Sequence, residues 1–238
     1  MMYIFGVRKD DMRIARFLSL TFLACSCAAL RPAPELRPYP EVRPLDLQSD
    51  PGVRRRGDVL WAERRGVKVE VVYIPPAHLD SLMYDVPGGK ELLGSLRRTE
   101  GREQGWWLAF RVVFVNDTER RIYIDPGAFF LVDLRYIARY RAFSYKEVAA
   151  LFYPRSGSAF GVERYRRLLK AASGVLLRKG FVEPGKGRGG IVLFRFRGDE
   201  ERDVALILPG IDLSPDDEEV RTADFRFDFS YAFRYLSG

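Results

Sequence analysis

The chain is almost without histidine, cysteine and side-chain amides. Its 238 residues hold one histidine, His78, and two cysteines, Cys25 and Cys27, both near the N-terminus. A metal site built from several histidines, or from histidine with cysteine in one folded domain, is excluded by that inventory. Beyond residue 27 there is no disulfide, no cysteine-held metal and no thiol nucleophile. No Gly-x-Ser-x-Gly elbow leads from a strand into a helix; Ser156-Gly-Ser158 reads as a loop, with His78 the only imidazole to serve it. No catalytic residue, metal ligand or cofactor is therefore expected. Asn116 is the only asparagine, and Gln48 and Gln104 are the only glutamines. Scarce thermolabile amides beside many charges point to a thermophile, although a GC-rich genome also explains the abundant arginine.

What is present at the front is ordered. Arg13 and Arg16 precede an apolar run, Phe17 to Ala24, which stops at small residues and cysteine. That is the layout of an export signal, and the run is far shorter than the about 20 residues of a membrane-spanning helix. With Ala24 before Cys25 and Ser26 before Cys27, the segment resembles the lipobox of bacterial lipoprotein signals. The resemblance implies removal of the leader and diacylglycerol on the thiol of Cys25 or Cys27. Alanine before Cys25 favours the first; a start at Met12 would favour the second. Neither following residue, Ser26 or Ala28, is the aspartate that retains such proteins at the inner membrane. The resemblance thus implies the outer membrane, periplasmic face, with the membrane a partner through the lipid. One acyl chain binds only marginally, so stable anchoring implies several chains.

Residues 28–56 follow as a proline-rich tether, with Arg31-Pro-Ala-Pro-Glu-Leu-Arg-Pro-Tyr-Pro-Glu-Val-Arg-Pro44 at its heart. Proline fixes φ and removes backbone donors, so the segment is expected to be extended and outside any sheet interior. At about 3.1 Å per residue, twenty such residues reach roughly 60 Å. The folded part is expected over 57–238.

Its patterning is mainly that of strands. Val67, Val69, Val71 and Tyr73 alternate with Lys68, Glu70 and Val72, and the Arg65-Gly66 link to Asp58–Arg64 makes a hairpin. Pro75-Pro76 ends that pair. Residues 77–104 read as a long excursion holding a short helix, Lys90 to Arg97. Trp106–Val115 is apolar on nearly both faces, the mark of a central strand buried on both sides. Short strands follow at Arg121–Ile124 and Ala128–Leu134. Ser144-Tyr-Lys-Glu147 is a capping box opening a helix to Phe152. Val162, Tyr165, Leu168, Leu169 and Ala172 place a second helix over Gly161–Ser173, with Gly174 as its cap. The glycines of Glu183–Gly190 read as a turn. Strands resume at Ile191–Arg197 and Asp203–Leu208. In the last strand, Phe225, Phe227, Phe229, Tyr231, Phe233 and Tyr235 share one face.

The strands Trp107–Asn116, Ile122–Asp133, Gly190–Phe194 and Ala205–Leu208, with the Glu183-Pro-Gly185 turn, resemble the immunoglobulin-like domains of uncharacterised bacterial lipoproteins. The resemblance implies an immunoglobulin-like antiparallel sandwich used for binding or adhesion, with no catalytic residues to carry over. The departure is a two-helix insertion at about 136–174. Aromatics and arginine crowd it, and such residues dominate interface hot spots. Tyr140, Tyr145, Arg164 and Arg167 are the expected contacts for a protein partner in the envelope. The expected function is a non-catalytic, lipid-anchored binding or scaffold protein. Two other readings stand beside it: an envelope hydrolase using paired carboxylates, and a basic binder of anionic lipid or glycan, suggested by the formal net charge of +7. The single Arg188-Gly-Gly190 is no RNA-binding tract, so nucleic acid is not an expected partner. Asp212–Glu219 is acidic, but its spacing is not that of an EF-hand loop.

Overall fold

Alternating apolar and polar residues build two antiparallel sheets that face each other across a phenylalanine-rich core. The computed structural model describes residues 38–101, 103–153, 159–198, 200–213, 215 and 221–235. The expected signal over 1–27 with Cys25 and Cys27, the first part of the tether, Ser156-Gly-Ser158 and most of the acidic run lie outside the described residues. One sheet has the order β10-β5-β4-β3-β2, made of β2 (Arg54–Arg56), β3 (Val59–Arg64), β4 (Val67–Ile74), β5 (Trp106–Asn116) and β10 (Gly187–Phe196). The other has the order β1-β12-β11-β6-β9, made of β1 (Pro38–Pro44), β12 (Thr222–Tyr235), β11 (Arg202–Asp212), β6 (Ile122–Ile124) and β9 (Gly180–Val182). Onto β11 pairs β7 (Phe130–Asp133), and onto β7 pairs β8 (Ala138–Arg141).

The expected hairpin forms. Arg65 and Gly66 take φ of 51° and 78°, the positive values that a tight two-residue link between twisted strands demands. Phe225, Phe227, Phe229 and Tyr231 of β12 are buried against Leu108, Phe110, Val112 and Phe114 of β5. The Phe110 and Phe229 ring centroids, 5.2 Å apart, join the two sheets.

Strand β5 is buried on both faces because its outer face carries a helical layer. Trp107 and Ala109 point away from the sandwich core, onto α1 (Pro76–Tyr84), α2 (Gly89–Arg97), α3 (Tyr145–Ala150) and α4 (Ala159–Val175). Leu79, Met83, Leu92, Leu96, Val148 and Leu168 supply the helical side of this second core. The two helices expected within about 136–174 form as α3 and α4, but the insertion is corrected at its front and in its company. Residues Ala138–Arg141 form a sheet strand, and the layer draws on two segments of chain, giving four α-helices among the described residues. Within 77–104, α2 is the short helix expected at Lys90–Arg97, and α1 is the helix not expected there. Pro75-Pro76 ends β4 as expected, and Pro76 opens α1, where a missing N–H costs nothing.

Three further expectations shift. The tether does not extend to residue 56: Pro38–Pro44 is β1 and Arg54–Arg56 is β2. Proline is tolerated because β1 is an edge strand, with β12 on its one paired side. Gly174 lies inside α4 instead of capping it. Gly187–Gly190 belong to β10 and not to a turn. At Gly190 a Cβ would fall 2.7 Å from the Leu177 Cα, so only glycine lets the 176–177 segment cross there.

The capping box at α3 is as expected. The Glu147 amide donates to Ser144 Oγ at 3.2 Å, and the Ser144 amide donates to Glu147 Oε2 at 2.8 Å. Arg141 also pairs with Glu147. Burial alone would raise the Glu147 carboxyl, but the Ser144 bonds and the Arg141 guanidinium hold it below the usual carboxylate range. A lowered folded value means stability present above the ordinary carboxylate range and lost as pH falls through the folded value. Glu147→Ala is expected to cost about 1 kcal/mol at neutral pH, and the difference from wild type should shrink below about pH 4. Thermal melts between pH 7 and pH 3 read both effects.

The sandwich has two distinct ends. One gathers the Arg65-Gly66 turn, Asn116 and Lys186. There the Asp117 amide donates to the Gly66 carbonyl at 2.8 Å, and Arg65 Nη1 to the Thr222 carbonyl at 3.1 Å. The other gathers Trp106, Phe196 and Tyr231, whose hydroxyl donates to the Gly198 carbonyl at 2.8 Å. The described chain starts toward this second end. The Tyr73 hydroxyl donates to the Pro40 carbonyl at 2.9 Å, and five residues on, the Leu45 amide reaches the Asp228 carbonyl at 3.1 Å, midway along β12.

Candidate functional site

Strand β10 closes one edge of its sheet, pairing with β5 alone. In an antiparallel strand, alternate residues turn both backbone groups to the same side. The Lys186 carbonyl accepts from the Asn116 amide at 3.0 Å, which places the even-numbered residues toward β5. The odd-numbered residues face outward. At Ile191 and Leu193 that outer edge is covered: their carbonyls accept from the Leu177 and Phe143 amides, each at 2.9 Å. Gly187 and Gly189 face the same way, and among the described residues no backbone partner closes them.

Those two glycines floor an open cleft of about 420 Å³. Its walls are the C-terminal end of α4 (173–175) with Leu176, the β9 residues Phe181 and Val182, and the turn that leads into β10. Arg178 and Lys186 stand exposed at its rim. Arg188 is used structurally: its guanidinium donates to the Phe181 carbonyl at 3.1 Å and the Lys179 carbonyl at 3.3 Å, tying β9 to β10. Phe181 is 44% exposed; its ring stacks edge-on to Tyr123 at 5.3 Å, with the Arg121 guanidinium 4.3 Å from its centroid. Asn116 holds this end of the fold together. Wholly buried, its side-chain amide donates to the Arg120 and Val182 carbonyls at 2.7 and 2.8 Å, and its Oδ1 accepts from the Thr118 amide at 3.0 Å.

An unpaired strand edge, a side-chain-free floor and a cationic rim suit an extended chain that adds as a further strand. Backbone bonds to Gly187 and Gly189 would supply affinity. Arg178 and Lys186 would favour acidic side chains, and Phe181 offers an apolar contact.

The four contacts expected from sequence lie elsewhere. Tyr140 turns inward: its ring is 4.9 Å from Phe196 and its hydroxyl donates to the Arg197 carbonyl at 3.1 Å. Burial first, then the Asp133 carboxylate, push that hydroxyl above its ordinary value. Tyr145 packs on the helical core. Arg164 and Arg167 both pair with Glu91 of α2, at 2.9 and 3.4 Å, and so clamp α4 to α2. His78 is exposed on α1. Among the described residues no three carboxylate, histidine or cysteine side chains gather as metal ligands. The cleft lining holds a single carboxylate, Glu183. Glu100, which burial raises above the usual range despite a 3.4 Å bond from the Trp107 amide, stands apart from it. Sequence reasoning missed the cleft by reading these glycines as a turn; the signal that could have found it is glycine inside a strand, which marks close approach of other backbone.

No family model matches the chain, and no curated protein matches it. Among solved structures, the yjhA protein from Bacillus subtilis aligns over 73% of this chain and 93% of its own, at 13% identity and a TM-score of 0.31. A likeness of that score carries no argument about fold or function.

Proposed function

We propose that this chain is a non-catalytic binding or scaffold protein of the cell envelope. A lipid on Cys25 or Cys27 anchors it at the periplasmic face of the outer membrane, and its sandwich is of the immunoglobulin-like kind. The observation that supports the binding role is the open Gly187–Gly189 edge beside the basic rim of Arg178 and Lys186. The partner is an envelope protein that contributes an extended, acidic segment. The cleft lies toward the Asn116 end of the sandwich, away from the end where the described chain begins, so an anchored domain would leave it accessible. The arginines of α4 favour the basic-surface reading less, because Arg164 and Arg167 share Glu91 and Arg166 lies 3.8 Å from Glu163.

Intact-mass measurement of the protein extracted from native membranes should show an acylated, leaderless chain. Cross-linking in the same membranes should capture one envelope protein, and Arg178→Glu with Lys186→Glu should reduce that product about tenfold. An unchanged product would remove the cleft from this reading, and a chain without acyl groups would remove the anchor.

A further inference from the structure

We infer that the β7–β8 hairpin tip, Leu134-Arg135-Tyr136-Ile137, seats in the interfacial layer of an anionic lipid bilayer; the inference rests on the membrane-anchored reading given above. The tip is apolar where a turn is normally polar. Leu134 is 36% exposed, Tyr136 57% and Ile137 77%. Ile137 also has φ of 56°, in the left-handed region. A β-branched side chain is strained there, whereas glycine or asparagine would sit without cost. Folding alone gives no reason for an exposed, strained isoleucine at a hairpin tip. Strain that persists at the surface marks a site held for use.

The tip is also rigid. Asp133 is wholly buried beneath it, and its Oδ1 accepts from the Arg135 and Tyr136 amides at 3.0 and 3.2 Å. Its Oδ2 accepts from Arg202 Nη1 at 2.7 Å, and the same guanidinium lies 4.9 Å from the Tyr136 ring centroid. The side chains are thus presented as a fixed wedge.

Position and charge select lipid as the occupant. The tip springs from Asp133, which pairs with Val204 close to the Arg202–Tyr231 register. That is the end of the sandwich toward which the described chain begins at Pro38. The eleven Cα steps from Cys27 to Pro38, or the thirteen from Cys25, reach at most about 40 or about 47 Å fully extended. A lipid on either cysteine therefore keeps this end close to the bilayer. Arg135 and Arg139 flank the tip, both exposed. Arg135 is paired with Glu200 at 2.8 Å, so Arg139, its guanidinium 5.2 Å from the Phe130 centroid, is the cation offered to lipid phosphate. Arginine stems can lie along apolar groups while their heads reach lipid phosphates. Three apolar side chains on one turn fall far short of the roughly 20 residues a side that a stable protein interface uses, but they match the shallow burial of an interfacial anchor.

The test uses the full chain, extracted from its membranes and reconstituted into phosphatidylcholine–phosphatidylglycerol vesicles with brominated acyl chains. Tyr136→Trp places a reporter at the tip, and Phe181→Trp a control at the cleft. After subtraction of the native tryptophans, the tip reporter should be quenched about twofold and the control unquenched. Ile137→Asn in the reporter background should remove most of that quenching while raising Tm by about 2–4 °C through relief of strain. Equal quenching at both positions, or none at the tip, overturns the inference. So does loss of a protein cross-link in Ile137→Asn with quenching unchanged, which would assign the tip to a protein. Intact mass of the same sample separates the two readings. Acylated protein with an unquenched tip leaves the anchor standing without the wedge. Unacylated protein whose tip is quenched on added anionic vesicles leaves the wedge standing without the anchor.

Discussion

Asp133→Ala should lower the unfolding free energy by about 3–5 kcal/mol, read as a shift of the urea midpoint at unchanged slope. The magnitude follows from burial. The side chains of Asp133 and Arg202 are 1% and 6% exposed, and they meet at 2.7 Å. Burial alone works against the Arg202 cation, but the bond to Asp133 and its charge more than offset this and push the guanidinium further toward the charged form. Removing the carboxylate leaves that charge in the interior with no equal partner; Glu200, at 3.9 Å from Arg202 and half-exposed, compensates little. Arg202→Met is expected to cost less than Asp133→Ala, because Asp133 would still accept from the Arg135 and Tyr136 amides. Replacing both together should recover part of the loss, since no isolated charge then remains. A double change that costs the full sum of the single ones would show that the residues act independently.

Phe110→Ala is expected to have an effect of similar size for an unrelated reason. The ring is wholly buried, and its centroid lies 5.6 Å from Tyr73, 5.9 Å from Phe194 and 5.2 Å from Phe229. It touches its two neighbours within one sheet and also reaches across the sandwich. Truncation loses the transfer free energy of the ring and leaves a cavity that two rigid sheets cannot close. Calorimetry should report a loss of about 3–5 kcal/mol. Phe110→Leu, which fills most of the space, should cost clearly less. A loss below about 1 kcal/mol for the alanine variant would mean that the sheets collapse onto the gap.

Several elements were legible because their causes are local. The Arg65-Gly66 hairpin needs only two residues able to take positive φ between alternating runs. The Ser144–Glu147 box lies within one helical turn. The phenylalanine face of β12 is set by a period of two. The double burial of β5 was legible too, although its cause, a helical layer drawn from two segments, was not.

Other elements depended on partners distant in sequence. Prolines in residues 38–44 forbid a central strand, but nothing local told whether a free sheet edge would receive them; β12 provides one. Glycines at 187–190 look like a turn until Leu177 is seen crossing Gly190. Arg164 and Arg167 look available until Glu91, more than seventy positions earlier, is brought beside them.

By itself the sequence determined that this is a strand-rich chain with an arginine-flanked apolar run ending at cysteine near its front, and that no site can draw on more than one histidine. Those properties reside in residue inventory and short-range periodicity, which need no knowledge of neighbours. Only the tertiary structure decided which charges are neutralised, which strand edge stays open and which turn stands strained at the surface. Pairing, burial and exposure are relations between distant segments, fixed when the two sheets and the helical layer close on their cores.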